Sequence, residues 1–575
     1  MWNYKEQYQR WLDSPALNEA EWKELSDIAD DEKEIESRFF APLEFGTAGL
    51  RGVMGMGTRR MNIHMIRWTT QAFAQVMLRE DRAAERGVVI CYDCRVNSER
   101  FAREAARIMI GNGIRVRIFE SMRPTPELSY AIRRYGALAG INITASHNTK
   151  EYNGYKVYWE DGAQLPPDKA ALVAKEMEST DIFGSIQTGS LSEAEQIGML
   201  EYLGSETDEG FLENVLSQTI DPDAVKKAAD TLEIVYTPFH GTGYRLVPEA
   251  LRRMGLKHII PVEQQMIPDG TFPTVTSPNP EKPEGFLLAK KLAVRENSDI
   301  IIGTDPDADR IGVMVRGRGG DYSVISGNQL GVLLLDYIIT ARREKGTLPE
   351  NAAAISTIVS TVMLDEVCRR NGIHLDRTFT GFKFMSERIA EYERIGSYKY
   401  ILAFEESFGY MMGDYVRDKD AVTASCLVAE MAAHYALRGM TLADALESLF
   451  EKYGFFREKT VELVMPGVDG LEKMSALMDS LRDEPPVSLG GTAVVRQRDY
   501  LDGTVTVSGL GAVEHTDISG SNVLYFELED GSSFIIRPSG TEPKIKIYIL
   551  TKGADMSECE AKTEKYTEFA ESLKK

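Results

Sequence analysis

The chain has 575 residues, room for three or four ordinary domains, with 43% apolar residues to fill their cores and 27% charged residues on their surfaces. Its formal charge of −22 excludes whole-surface association with nucleic acid or an anionic membrane, because the long-range field repels phosphate. An anionic substrate therefore has to be held by a local basic pocket.

The most apolar stretch, 330–340, is short and contains Asp336, so no segment reaches the roughly 20 apolar residues that a bilayer demands. The opening Met1–Glu6 has neither the basic nor the apolar part of a leader, and the five cysteines are sparse and odd in number, as in a reducing cytoplasm. Cys91 and Cys94 are formally C-x-x-C but end an apolar run, which reads as a strand end.

The first forty residues are acidic and helical in pattern, with Trp11, Leu12, Leu17, Trp22 and Leu25 as their apolar positions. An α/β rhythm follows. Strands are predicted at 88–92, 115–119 and 139–144, with helices at 98–112 and 125–135. The same grammar recurs with strands at 233–236, 258–262 and 300–303 around helices at 244–254 and 284–295, and again with strands at 354–360, 375–379 and 400–404 around helices at 363–371 and 383–394. Each series ends in a polar loop: Thr144-Ala145-Ser146-His147-Asn148, then Asp305-Pro306-Asp307-Ala308-Asp309-Arg310, then Glu405-Glu406-Ser407-Phe408-Gly409. Ligands of such sheets bind beyond strand carboxyl ends, so the three loops are expected to share one cleft. From about residue 455 the segments become shorter and turn-rich, as in a smaller α+β domain with its own loop, Arg537-Pro538-Ser539-Gly540-Thr541.

Asp305, Asp307 and Asp309 recur at every second position, and three carboxylates so close repel unless a cation lies among them. Hard oxygen donors select Mg²⁺, Mn²⁺ or Ca²⁺. An EF-hand is excluded, because its sixth and twelfth positions would be Arg310 and Arg316. A haloacid-dehalogenase-like phosphatase with Asp305 as nucleophile stays open as an alternative, as does a non-catalytic sugar-phosphate sensor. Ser146, with His147 beside it, is either a turn serine or an activated nucleophile. Asn153-Gly154 reads as a turn, with Lys156 placing a cation near Ser146. The loop 45–52 is glycine-rich with one arginine, Arg51, and Arg537-Pro538-Ser539-Gly540-Thr541 combines a guanidinium with two hydroxyls, a phosphate cradle. Glu405 and Ser407 offer acceptors for sugar hydroxyls.

In this order the motifs T-A-S-H-N-x-x-x-x-N-G-x-K, D-x-D-x-D-R, E-E-S-F-G and R-P-S-G-T resemble the α-D-phosphohexomutase superfamily, nearest to its long bacterial phosphoglucomutases, across about residues 45–548. The resemblance implies an α/β fold of three similar mixed α/β domains (1–205, with the helical extension, then 206–325 and 326–450) and a smaller C-terminal α+β domain (451–575) around a central cleft. It implies a monomer whose last domain swings to close the cleft. By the same resemblance Ser146 carries a phosphoryl group, Asp305, Asp307 and Asp309 bind Mg²⁺ with that group, and Arg310 steadies it. Glu405 and Ser407 fall on the sugar-reading loop, together with Thr380, Gly381 and Arg417. Arg537, Ser539, Gly540 and Thr541 match the grip on the non-reacting phosphate, and Arg51 matches the amino-terminal arginine. His147, Lys156 and Lys419 are the acid and base candidates. The implied reaction interconverts α-D-glucose 1-phosphate and glucose 6-phosphate, with glucose 1,6-bisphosphate as intermediate and activator; pentose and mannose phosphates are the same-family alternatives. Two departures stand out: D-P-D-A-D where glycines commonly intervene, and R-P-S-G-T-E-P, a variant shared with relatives acting on pentose phosphates.

Overall fold

The computed structural model describes residues 2–574 apart from 47–48, 185, 466–469, 510 and 540–543. The acidic opening forms three short helices, Tyr4–Leu12, Glu19–Ser26 and Glu32–Phe39, the second begun by a reciprocal Asn18–Glu21 cap. Their buried anchors, Trp11 and Phe39, meet edge-to-face and seat the extension on the first sheet unit.

Three mixed sheets follow, built to one plan. The first runs Leu50–Val53, Tyr152–Trp159, Ala139–Ile143, Val88–Tyr92, Val116–Phe119, Leu200–Leu203. The second runs Tyr322–Val324, Ile311–Arg316, Ile300–Thr304, Glu233–Thr237, His258–Pro261, and the third His374–Thr378, Ala352–Thr357, Lys399–Glu405, Gly409–Met411. Within each, parallel strands are joined through helices, and the third of them in chain order folds back on an antiparallel partner: Ala139–Ile143 on Tyr152–Trp159, Ile300–Thr304 on Ile311–Arg316, Lys399–Glu405 on Gly409–Met411. The three chemically loaded loops are therefore tips of hairpins rather than plain strand-to-helix turns.

The predicted parallel strands and their helices fall within a few residues of the observed ones, and the helices Thr125–Tyr135 and Met363–Asn371 match their expected bounds. The return strands are the main correction. Asn153-Gly154 is no turn: both residues lie buried inside strand Tyr152–Trp159. Gly154 is needed there because a Cβ would meet the Thr144 carbonyl oxygen at 2.5 Å.

One apolar core joins the second and third units, from Ile234 and Ile302 to Leu402 and Phe404. Helix Ala421–Ala436, largely apolar and buried almost throughout, runs through it, with its one carboxylate, Glu430, accepting from Tyr337 and from backbone N–H groups. The last sheet is antiparallel, from Phe455–Val464 through Lys544–Gly553 and Ser533–Pro538 onward. Its period-2 alternation divides two faces. Phe534, Ile536 and Ile547 pack under its own helices, whereas Ile535, Tyr548 and Leu550 face Ile358 and Phe379 of the third unit. No described helix is long and apolar enough to cross a membrane.

Candidate active site

The hairpin tips converge on a cleft of about 890 Å³. At its floor the Ser146 hydroxyl donates to Asp305 Oδ2 at 2.7 Å and lies 3.3 Å from His147 Nδ1. Ser146 is 2% exposed and holds φ +51°, a left-handed conformation that the surroundings must impose. Asp305, Asp307 and Asp309 each offer an oxygen within 4.8 Å of the others, and all three are buried.

Two cations partly offset this charge. Lys156 Nζ lies 2.6 Å from Asp307 Oδ2 and 3.3 Å from Asp309 Oδ2; Lys419 Nζ lies 3.2 Å from Asp309 Oδ2 and 3.0 Å from Asp418 Oδ1. Thr125 Oγ1 donates to Asp307 Oδ2 at 2.8 Å, and the backbone N–H groups of Asp309 and Arg310 donate to Asp305 Oδ1. Asp307 Oδ1 and Asp309 Oδ1 are buried with no hydrogen-bond partner among the described residues. Buried carboxylate oxygens without a donor are costly, and an oxygen-loving divalent cation satisfies them. The residues present thus fit Mg²⁺.

The protonation states follow from this crowding. Burial first, then Asp307 and Asp309, push Asp305 well above the usual carboxylate range. Asp309 is held low: burial opposes its charge, but Lys419, Lys156 and Arg310 outweigh it. Lys156 and Lys419 are raised, because their carboxylate partners overcome the penalty of burial. His147 is pushed well below its ordinary value by burial and then by Arg310 and Arg51.

Around the rim, Arg51 donates to Asn148 Oδ1 at 2.9 Å, and Arg310 pairs with Glu281 at 3.2 Å. Glu405 accepts from the Gly381 N–H at 2.6 Å and from Ser407 Oγ at 3.2 Å, beside Thr380. Arg537, Lys544 and Lys546 line the opposite wall from the last sheet. Among the described residues that line the cleft, eight lysines and arginines face five carboxylates, in a chain of net charge −22: a basic pocket in an acidic body.

Models of the alpha/beta/alpha domains I, II and III of phosphoglucomutase/phosphomannomutase match residues 42–182, 209–319 and 326–453. The chain belongs to this phosphoglucomutase/phosphomannomutase family. Among its curated relatives, the phosphoglucomutase of Staphylococcus saprophyticus is 32% identical over 95% of this chain and 97% of its own length. That of Staphylococcus aureus strain MRSA252 is 35% identical over 92% and 93%. The fold matches a phosphoglucomutase/phosphomannomutase family protein of Burkholderia thailandensis with TM-score 0.64 at 19% identity, over 92% of this chain and 97% of that one. Parafusin, a phosphoglucomutase of Paramecium in its open form, matches with TM-score 0.64 at 19% identity over 92% and 93%.

Against that family pattern, Ser146, His147, Lys156, Asp309, Arg310, Thr380, Gly381, Glu405, Ser407, Lys419, Arg51 and Arg537 all meet in the cleft, with Asp305 and Asp307 immediately beneath it. Arg417 does not. Its side chain is 1% exposed and turned away, pairing with Glu393 at 2.5 Å and donating to Asp414 O and Val416 O, so the sugar-binding expectation for it fails. Ser539 caps Lys544 O through its backbone N–H, and Gly540 and Thr541 lie outside the described residues.

The sequence reading missed several members. Thr125 reaches Asp307 from a helix start, and Asn142, inside strand Ala139–Ile143, donates to Thr125 Oγ1 at 2.7 Å; neither carries a local signal of that role. The segment 277–282 of the second unit lines the cleft through Ser277, Asn279, Glu281 and Lys282, and its alternating prolines were the available sign of a shaped loop. Asp93, inside C-x-x-C, and Arg95, just after it, brace the Ser146 loop from behind.

Proposed function

We propose that this family member is a Mg²⁺-dependent phosphoglucomutase, interconverting α-D-glucose 1-phosphate and glucose 6-phosphate through a phosphorylated Ser146 and glucose 1,6-bisphosphate. The observation that carries the reading is the Ser146 hydroxyl 2.7 Å from a buried triad of carboxylates, with lysines on either side. In each half-reaction the bond between Ser146 Oγ and phosphorus breaks or forms while the bond from phosphorus to a sugar oxygen does the reverse. Mg²⁺ held by Asp305, Asp307 and Asp309 would withdraw charge from the phosphoryl group in flight.

This chain's own residues do the rest. Lys156, Lys419 and Arg310 are cationic donors at the mouth of the triad, suited to phosphate oxygens and to a departing sugar oxygen. His147 has Nδ1 3.3 Å from Ser146 Oγ, and burial, then Arg310 and Arg51, disfavour its protonated form, so it stands there as a neutral hydrogen-bonding partner. Glu405 and Ser407 read sugar hydroxyls, while Arg51, Arg537, Lys544 and Lys546 grip the phosphate that is not reacting. Because the bisphosphate must turn around, a cleft basic at both walls suits it better than one with a single phosphate site. We further take the enzyme to be a cytoplasmic monomer, consistent with its five free cysteines.

The phosphatase alternative has no geometric support: Asp305 is 0% exposed, with its oxygens occupied by Ser146 and two backbone N–H groups. The decisive assay couples glucose 6-phosphate formation to a reporter, primed with glucose 1,6-bisphosphate. Ser146→Ala is expected to abolish turnover and to remove the phosphoryl mass from the isolated protein; near-normal turnover sinks the reading. Comparing kcat/KM on mannose 1-phosphate and ribose 1-phosphate ranks the sugars.

A further inference from the structure

The Ser146 loop is held from outside the cleft by a buried arginine and an aspartate beside it. Arg95 lies just past strand Val88–Tyr92 and is 3% exposed. Its Nη2 donates to Ser146 O and Asn148 O, both at 2.5 Å, and its Nη1 to Thr149 O at 2.8 Å and Tyr152 O at 3.0 Å. Four carbonyls of one loop converge on one planar fork, an arrangement that a lysine's compact point charge cannot reproduce. Asp93 completes the brace. It accepts from the Arg95 N–H at 2.9 Å and from Thr144 Oγ1 at 2.6 Å, and that same Thr144 oxygen accepts from the Ser146 N–H at 2.9 Å. These bonds hold Ser146 in its left-handed conformation.

The other side of Arg95 rests on the second unit. Its guanidinium carbon is 5.1 Å from the Phe272 ring centroid, and Phe272 is itself buried at φ +47°. Gly270 approaches so closely that a Cβ would come within 2.4 Å of the Val96 nitrogen. This segment is tied to His240, whose O accepts from the Asp269 N–H and whose Nδ1 lies 2.8 Å from Ile267 O. Beside His240, Gly241 is packed against the carboxylate loop, where a Cβ would meet Pro306 Cα at 2.3 Å, and the Thr242 N–H donates to Pro306 O at 2.8 Å. A contiguous path of packed backbone thus joins the rear of the Ser146 loop to the rear of the Asp305 loop.

We propose that Arg95, seated on Phe272, is a positioning residue that sets the separation between the Ser146 hydroxyl and the carboxylate triad. It does so without touching substrate. The inference rests on the phosphoserine reading above. Phosphoryl transfer depends on near-attack geometry, where a displacement of about 1 Å costs on the order of 100-fold in rate.

The test uses the full-length enzyme and the variants Arg95→Met, Arg95→Lys and Phe272→Leu. Measured are kcat, KM for glucose 1-phosphate, and the rate at which glucose 1,6-bisphosphate phosphorylates Ser146, followed by intact mass. Arg95→Met is expected to lower kcat and the phosphorylation rate by about 100-fold with KM unchanged. Arg95→Lys should recover part of that loss, and Phe272→Leu should lose about tenfold, again in kcat alone. Wild-type kcat in folded Arg95→Met overturns the proposal, as does a fall in sugar-phosphate affinity matching the fall in rate. If Arg95→Met does not fold, Arg95→Lys and Phe272→Leu decide by the same split. An active wild type that is silenced by Ser146→Ala but indifferent to Arg95 refutes the positioning role alone; an active Ser146→Ala refutes the reading beneath it.

Discussion

At the Asp305 end of the cleft, backbone groups of three units interlock: the Thr125 N–H donates to Asp307 O, the Ile311 N–H to Phe408 O, and the Ala421 N–H to Ala308 O. At the Arg537 end the last sheet reaches the cleft with side chains, and it meets the third unit through rings and aliphatic groups, Tyr500 edge-to-face on Phe379 at 5.7 Å. Directional bonds among buried groups admit one arrangement, whereas apolar contact is non-directional and tolerates sliding. On the proposed reading the two ends would have distinct jobs: the interlocked end would fix the reacting atoms, and the more apolar joint would leave the phosphate-gripping wall freer to shift.

The largest expected effect tests that division directly. Asp305→Asn, which retains shape but removes the carboxylate beneath Ser146, should lower kcat by about 1000-fold with little change in KM, as loss of a group acting on developing charge does. Arg537→Met should instead raise KM for glucose 1-phosphate by about 10- to 100-fold, the worth of a charge-assisted bond, with kcat falling far less. Steady-state kinetics of both variants decide the matter. If Arg537→Met lowers kcat as severely as Asp305→Asn, the two ends do not have separate jobs.

The same contrast explains what was legible beforehand. The Asp305 loop announced itself because alternating carboxylates after a strand have few other uses, and the Ser146 and Glu405 loops because each closed a recognisable βαβ series. The antiparallel return strands were not legible. Tyr152–Trp159 is buried on both faces, so it lacks the alternation that marks a half-exposed strand, and Asn153-Gly154 mimics a turn although the glycine serves a close backbone approach. Arg417 differs as well: the resemblance puts it with the sugar-reading loop, yet its guanidinium pairs with Glu393, a partner far away in the sequence that nothing local records. Thr125 and Arg95 act on residues far away in the chain, and nothing local records such a pairing.

Behind the interlocked end lies a buried ionisable group that gives a smaller, pH-dependent effect. Glu127 is 0% exposed, 3.8 Å from Arg123 and near Asp208, Arg245 and Cys91; burial first, then the Asp208 charge, raise it well above its ordinary 4.5. A carboxyl whose folded value is raised binds more protons folded than unfolded once pH exceeds the ordinary value. Its stabilising contribution is complete below that value and declines as pH rises through the interval. Glu127→Gln copies the neutral acid and does not titrate. Urea unfolding should therefore show the variant gaining on the wild type between pH 5 and pH 8. A difference that is constant, or that moves the other way, means that Glu127 is ionised in the folded protein.

The smallest expected effect concerns the departure within the carboxylate loop. Ala308 is fully buried at φ +50°, where an L-residue costs about 1–2 kcal/mol. Glycine there relieves that strain, but it costs about 0.5–1 kcal/mol in backbone freedom and forfeits a buried methyl worth about 0.8 kcal/mol. The opposing contributions are comparable, so Ala308→Gly should change stability by no more than about 0.5 kcal/mol in denaturant titration. Its kcat should stay within about twofold of wild type, because the carboxylates are anchored by their own partners: Asp305 by Ser146 and two backbone N–H groups, Asp307 by Thr125 and Lys156. A tenfold loss of kcat would mean that the alanine itself holds the loop in register. The rigidity of this end of the cleft would then reside in the loop's covalent chain as well as in the bonds that surround it.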